Sequence, residues 1–292
     1  MVKRVHAVVL FACLLLLWLS PAGAVEEFYV GDSEVIGTMK WDFIKENDSL
    51  IELARKYDLG YHEMADANLN LDPFIPKLGA SVRIPTLWIL PNLPIEQGIF
   101  INLSELRLYY YPYPDAKFVF TFPIGIGDEG SETPLGVFTI IEKRVNPTWY
   151  VPKSILDERP DFPTQVPPGP DNPLGTHALR LSIGSILIHG THRPWGVGRR
   201  VSHGCIRLYP EDIPELYRLV PKGTKVIILR QPVKLGLKNG TVFLEVHRGE
   251  AVDYFQEALK LINARKLLSR IDQRKLSRVL REKTGIPEEI SR

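Results

Sequence analysis

The chain is almost devoid of cysteine: Cys13 and Cys205 are the only two in 292 residues. It also lacks a charge excess, with 36 Lys plus Arg against 34 Asp plus Glu. Lys3 and Arg4 account for the surplus of two, so bulk charge gives no reason to expect a nucleic-acid partner. Beyond the first two dozen residues no apolar run reaches the length of a membrane span, and no internal repeat stands out. What remains is ordinary globular material, 45% apolar and 24% charged, long enough for one large core or two modest domains. Prolines (24) outnumber glycines (22), which favours turns and sheet edges over a helical bundle.

The N-terminus reads as an address. Lys3 and Arg4 precede the apolar run Val5 to Leu19, and Ala22-x-Ala24 follows as a small-residue cleavage site. This is the pattern of a secretory signal peptide over residues 1–24. The run is short for a membrane anchor, which needs about 20 residues. A lipoprotein reading would use Cys13, but cleavage there would leave six apolar residues at the new terminus. The expected mature chain is exported, with no stable membrane insertion, and Cys205 is its single thiol. In an oxidising compartment a lone cysteine is a reactive thiol, an intermolecular partner or a small buried hydrophobe. Composition alone leaves these open.

Three regions follow. Over 41–85, Asp48 or Ser49 is a candidate cap for a helix carrying Leu50, Leu53, Ala54 and Tyr57. A second short helix would hold Met64, Ala65 and Ala67, and Val82-Arg83-Ile84-Pro85 reads as a closing strand. This β-α-α-β order resembles a LysM module, which implies a grip on peptidoglycan glycan; the bland alternative is a brace for the next domain. Many such modules carry Gly-Asp-Thr where this chain has Asn47-Asp48-Ser49. The region 95–230 is rich in β-branched and aromatic strands, interrupted by a long Pro-, Gly- and Asp-rich loop from Pro147 to Gly175. A helix is expected at Pro210 to Leu219. The region 231–292 opens with a hairpin at Asn239-Gly240, then two helices, the first presenting Val252, Phe255, Leu259 and Ile262. From Arg248 onward there are 11 Lys/Arg against 7 Asp/Glu, read as a solvated face.

The chemistry is concentrated. His189, His192 and His203 lie within 15 residues, beside Cys205. A thiol of ordinary pKa, ~8.5, is mostly protonated at neutral pH, and a nearby imidazole can convert it to a thiolate–imidazolium pair. Gly204 fits a tight turn where amide N–H groups could converge on an oxyanion. A competing arrangement is a zinc site built from His189, His192, His203 and Cys205.

His189 followed by Ser202-His203-Gly204-Cys205-Ile206-Arg207 resembles the signature of the YkuD-type L,D-transpeptidases. Pro123-Ile124-Gly125, Thr133-Pro134-Leu135-Gly136 and Gly175-Thr176-His177-Ala178 are supporting landmarks. Arg207 stands where other members carry Asn. The resemblance implies an α+β protein: a mostly-β catalytic domain preceded by the LysM-like unit and followed by the hairpin and C-terminal helices. It implies Cys205 as nucleophile and His189 as base, oriented by the Gly190 carbonyl. The amides of His203, Gly204 and Cys205 would form the oxyanion hole. Ser202 and Arg207 would fix the loop and meet the substrate, with His177 in the pocket wall. The implied reaction needs no metal or organic cofactor and takes place in the periplasm of a Gram-negative envelope. A tetrapeptide stem would lose D-Ala and pass its acyl group to a neighbouring stem or an outer-membrane lipoprotein. Transfer to water, as a carboxypeptidase or amide hydrolase, and a non-catalytic wall-binding role are the alternatives.

Overall fold

The computed structural model describes residues 26–292 apart from 32, 95, 96, 113, 115 and 116. The expected signal peptide, 1–24, lies outside the described residues. The fold is α+β. Its frame is a nine-stranded sheet in the order Glu27–Tyr29, Phe118–Pro123, Arg107–Tyr111, Gly98–Asn102, Lys225–Leu229, Gly136–Val145, His177–Leu181, Leu187–His189 and Ile206–Arg207. Two pairings are parallel, Lys225–Leu229 on Gly98–Asn102 and Ile206–Arg207 on Leu187–His189. The others are antiparallel.

Strands Gly98–Asn102 and Arg107–Tyr111 are buried along their whole length, because both faces of the sheet are covered there. Ile99, Ile101, Leu108 and Tyr110 enter one core with Phe122, Leu179, Ile188 and Leu216 of the helix Asp212–Leu219. Phe100, Tyr109, Tyr111 and Val119 point the other way and form a second core with Ile44, Leu50, Leu53, Met64 and Trp88. The first four belong to a unit of strand Lys40–Phe43, helices Leu50–Lys56 and Tyr61–Ala67, and strand Ser81–Ile84, while Trp88 lies on the following strand Leu87–Ile89, paired with Val35–Gly37. Ser49 caps its first helix, accepting from the amide of Glu52. Asn47, at the preceding turn, has φ of 65°, a left-handed conformation that asparagine tolerates better than most residues.

The C-terminal hairpin pairs Val233–Lys238 with Thr241–Val246. Its two-residue loop, Asn239-Gly240, has positive φ at both positions, as a twist-matched type I′ turn requires. Helices Tyr254–Ala264 and Gln273–Glu282 close over it, each capped by an aspartate, Asp253 and Asp272. The buried face of the first helix is Ala258 and Ile262, while Phe255 is exposed. Val252 precedes the cap and so takes no part in the helix periodicity, which removes the expected stripe. Between Pro147 and Gly175 the chain is more ordered than a loop. Trp149–Tyr150 pairs with Gln165–Val166 around a short helix, Lys153–Glu158. The buried Asn172 ties the base of this flap to the carbonyls of Pro147, Val166 and Pro167.

Two buried cations join the units. Arg107 donates two hydrogen bonds to the Glu63 carboxylate, at 2.8 and 2.9 Å, and one to the Asp58 carbonyl, with its guanidinium over the Trp88 ring. Lys234, fully buried, reaches Glu105 at 2.6 Å, Glu245 at 2.8 Å and the Ile89 carbonyl at 2.6 Å. Removing one charge from such a cluster leaves its partners desolvated without compensation. Lys234→Met is therefore expected to lower unfolding stability by about 3–5 kcal/mol, read as a reduced urea midpoint.

Candidate active site

Cys205 lies in a turn between the short strands Arg200–Ser202 and Ile206–Arg207. The parallel register sets Ile188 beside Ile206 and His189 beside Arg207. Both isoleucines enter the core, so strand alternation turns Leu187, His189, Cys205 and Arg207 to the opposite face. All four line one cleft of about 950 Å³, counting its open mouth. Ala178 and Arg180 extend its floor, and Thr148, Trp149, Tyr150 and Ile155 of the flap form its far wall.

Two carbonyls of the Cys205 turn are held from behind. Thr133 donates its hydroxyl to the Gly204 carbonyl at 3.0 Å and accepts from the Gly127 amide. Ser202 donates to the Cys205 carbonyl at 2.6 Å. Fixing these carbonyls sets the planes of the adjoining peptides, including the one that carries the Cys205 amide. Gly204 has φ of 93°, and a β-carbon there would approach the Ile186 side chain at 3.1 Å. Gly190 is equally constrained, since a β-carbon would meet Ile213 at 2.8 Å.

His189 is almost wholly buried, and its Nδ1 lies 2.5 Å from the Gly190 carbonyl. A carbonyl only accepts, so Nδ1 carries the proton and Nε2 keeps its lone pair. Burial, reinforced by the positive charge of Arg207, pushes the His189 pKa down to about 3, against the raising effect of the Gly190 and Leu174 backbone. Burial also pushes the Cys205 thiol above its ordinary value, against the lowering effects of the Leu187 backbone and Arg207. Both shifts oppose charge. Burial therefore works against a thiolate–imidazolium pair in the resting site.

Among the other sequence candidates, Ser202 is committed to the Cys205 carbonyl. His203 is half-exposed and lies 3.5 Å from Glu158 at the end of the flap helix. Arg207 reaches the cleft, and its Nε is buried with no hydrogen-bond partner. His177 is not in the cleft wall. It shares a strand face with Leu179 and Leu181, opposite to Ala178 and Arg180, and its ring packs 4.6 Å from Tyr217. His192 does not line the cleft either. Among the described residues, the one group of three potential metal ligands within 4.8 Å of one another is Glu105, Glu245 and His247, which surrounds Lys234. His189, His192, His203 and Cys205 form no such group. Sequence reasoning missed Thr133 as an anchor and Arg180 as a floor residue; the 147–175 loop, whose length and composition suit a lid or binding wall, does line the cleft. Thr133 lay inside a quoted landmark, whereas Arg180 has no local signature.

Comparison with known proteins gives this arrangement a family. The profile of the YkuD L,D-transpeptidase catalytic domain matches residues 96–228. A probable L,D-transpeptidase of Escherichia coli, YcfS, is 38% identical over 89% of this chain and 86% of its own length. A second from that organism, ErfK/SrfK, is 44% identical over 66% of this chain and 64% of its own length. Among solved structures, the catalytic domain of an Enterococcus faecium L,D-transpeptidase is 26% identical, covering 46% of this chain and 96% of that one, with a TM-score of 0.35. The chain belongs to the YkuD family of L,D-transpeptidases. It is an acyltransferase of peptidoglycan. Among the described residues no helix is long and apolar enough to cross a membrane.

The upward shift of the thiol has a measurable consequence. A thiol raised by burial ionises only above its ordinary pKa, so alkylation of Cys205 by iodoacetamide should stay slow at neutral pH and climb above pH ~9. Fast alkylation with an inflection near pH ~6 would instead reveal an ion pair.

Proposed function

We propose that the protein moves the acyl part of a tetrapeptide stem from D-Ala to an amine through a thioester on Cys205. The observation that carries this reading is the single sheet face presenting Cys205, His189 and Arg207 beneath an aromatic flap. Cys205 Sγ attacks the carbonyl of the third stem residue while its proton passes to His189 Nε2. The tetrahedral oxygen is met by amide N–H groups of the turn His203-Gly204-Cys205, whose carbonyls are already held by Thr133 and Ser202. The bond to D-Ala breaks, and the same proton leaves with the departing amine. An acceptor amine then attacks the thioester, gives its proton to Nε2, and the thiol is restored as the C–S bond breaks.

Neutral reactants suit a dry cleft. Proton transfer accompanies attack, so no isolated charge has to persist at rest. The scheme uses no metal or organic cofactor. An amine of a neighbouring stem gives a 3–3 cross-link, a lysine of an outer-membrane lipoprotein gives an anchor, and water gives a shortened stem. We assign the reaction to the periplasm, on the strength of the signal-like segment at 1–24.

We further propose that the 41–85 unit holds glycan while also bracing the sheet. Phe43, Phe74, Ile75 and Leu78 are all more than half exposed, on segments joined by Ile44–Ala80 and Leu50–Pro73 backbone bonds beside the Asn47 turn. Exposed apolar side chains gathered in this way favour a binding surface. Deleting the unit would uncover Phe100, Tyr109 and Tyr111, so point substitution is the cleaner test.

Cys205→Ala should abolish D-Ala release from tetrapeptide muropeptides, followed by mass spectrometry, with the circular dichroism spectrum retained. His189→Gln should lower kcat by ~10²–10⁴, and His192→Ala should do far less. Retained turnover in Cys205→Ala sinks the thioester. Ile75→Asp should weaken co-sedimentation with sacculi while turnover of a soluble tetrapeptide holds; unchanged sedimentation retires the glycan surface.

A further inference from the structure

The floor of the cleft is ordered in two cross-strand rows. One runs Arg144, Ala178, His189, Arg207. The other runs Glu142, Arg180, Leu187, and the parallel register carries it on to Cys205, the residue before Ile206. All eight side chains line the cleft. Arg207 stands two residues from Cys205 along one strand, about 6.5 Å away, and Arg180 stands two strands away, about 10 Å. Two arginines thus share the sheet face of the nucleophile, one along its strand and one across the strands.

Their charge is not balanced from within. Glu142, the one carboxylate in the cleft lining, is bonded to Arg144 at 2.6 Å although its strand neighbour in register is Arg180. Arg180 donates to the Gly184 carbonyl at 3.1 Å and has no carboxylate partner among the described residues. Arg207, also without an ion-pair partner among them, keeps its Nε buried and unbonded. A guanidinium fork left open in a partly desolvated cleft matches the geometry of a carboxylate.

We propose that Arg180 is a specificity determinant that reads a free carboxylate on the side chain of the residue being acylated, while Arg207 takes the carboxylate of the departing D-Ala. The inference rests on the donor assignment made above and deepens it: the preferred donor carries a diamino acid with an unblocked distal carboxylate. Arg207 is offset from Cys205 along its own strand and Arg180 across the strands, so the two carboxylates would leave the scissile carbonyl in different directions over the cleft floor. A stem whose third residue is lysine, or whose distal carboxylate is amidated, leaves Arg180 without a partner.

The test compares three soluble tetrapeptides, with meso-diaminopimelate, its distal amide or L-lysine at the third position. D-Ala release is measured with the full chain and with Arg180→Gln. The wild-type protein should favour the free carboxylate by about 10- to 100-fold in kcat/KM, chiefly through KM. In Arg180→Gln the three donors should converge. Arg180→Met, which keeps the aliphatic stem, serves the same comparison if the Gln variant fails to fold. Equal use of all three donors by the wild-type protein, or a preference that survives in the variant, overturns the role of Arg180. Absence of D-Ala release from every donor is a different outcome: it removes the donor assignment itself, and the role of Arg180 falls with it.

Discussion

The site depends on one short parallel pairing, Leu187–His189 against Ile206–Arg207. Two residue pairs in register are enough to set the imidazole, the thiol and a guanidinium on one face, because side chains alternate along a strand. The same alternation drives Ile188 and Ile206 into the core, which anchors the pairing by burial. A slip of one residue would invert both sets at once, turning His189 inward and an isoleucine into the cleft. Catalytic placement and core packing are therefore the same constraint.

That pairing sits at a sheet edge, and the rest of the molecule stiffens the sheet behind it. The N-terminal unit covers the outer face of the strands Gly98–Asn102 and Arg107–Tyr111, and the hairpin packs alongside. Buried charge crosses both joints. Arg107 binds Glu63, and Lys234 binds Glu105, Glu245 and the Ile89 carbonyl. Such clusters are costly to desolvate and tolerant of few geometries, so they specify how the units meet more than they add to stability.

Desolvation also defines the chemistry. The flap closes over the cleft with Trp149, Tyr150 and Ile155, and burial works against charge on both Cys205 and His189. The Gly190 carbonyl then selects the tautomer, leaving Nε2 as the acceptor. In the same cleft, Arg180 and Arg207 have no carboxylate partner among the described residues. On the reading proposed above, proton transfer between Cys205 and His189 is separate from recognition of substrate anions by the arginines.

The sequence by itself determined the family and the order of the elements, and it singled out the candidate reacting pair. Those depend on local pattern: the Ser202 to Arg207 run, the Asn239-Gly240 turn, the capped helix after Ser49 and the β-branched strands are each readable within a few residues. It placed His177 in the pocket wall, where the neighbouring Ala178 stands instead, because the face a strand residue takes is set by how the sheet packs. Nor does sequence proximity of Cys205 to His189 say how deeply both are buried. The 147–175 loop could be read as a lid or wall, but neither its aromatic lining nor Arg180 could be picked out. An arginine without a local partner, or a tryptophan in a proline-rich loop, acquires meaning only when tertiary packing sets it beside the thiol. Local chemistry is written in short spans of chain; facing, burial and charge balance are properties of the assembled sheet.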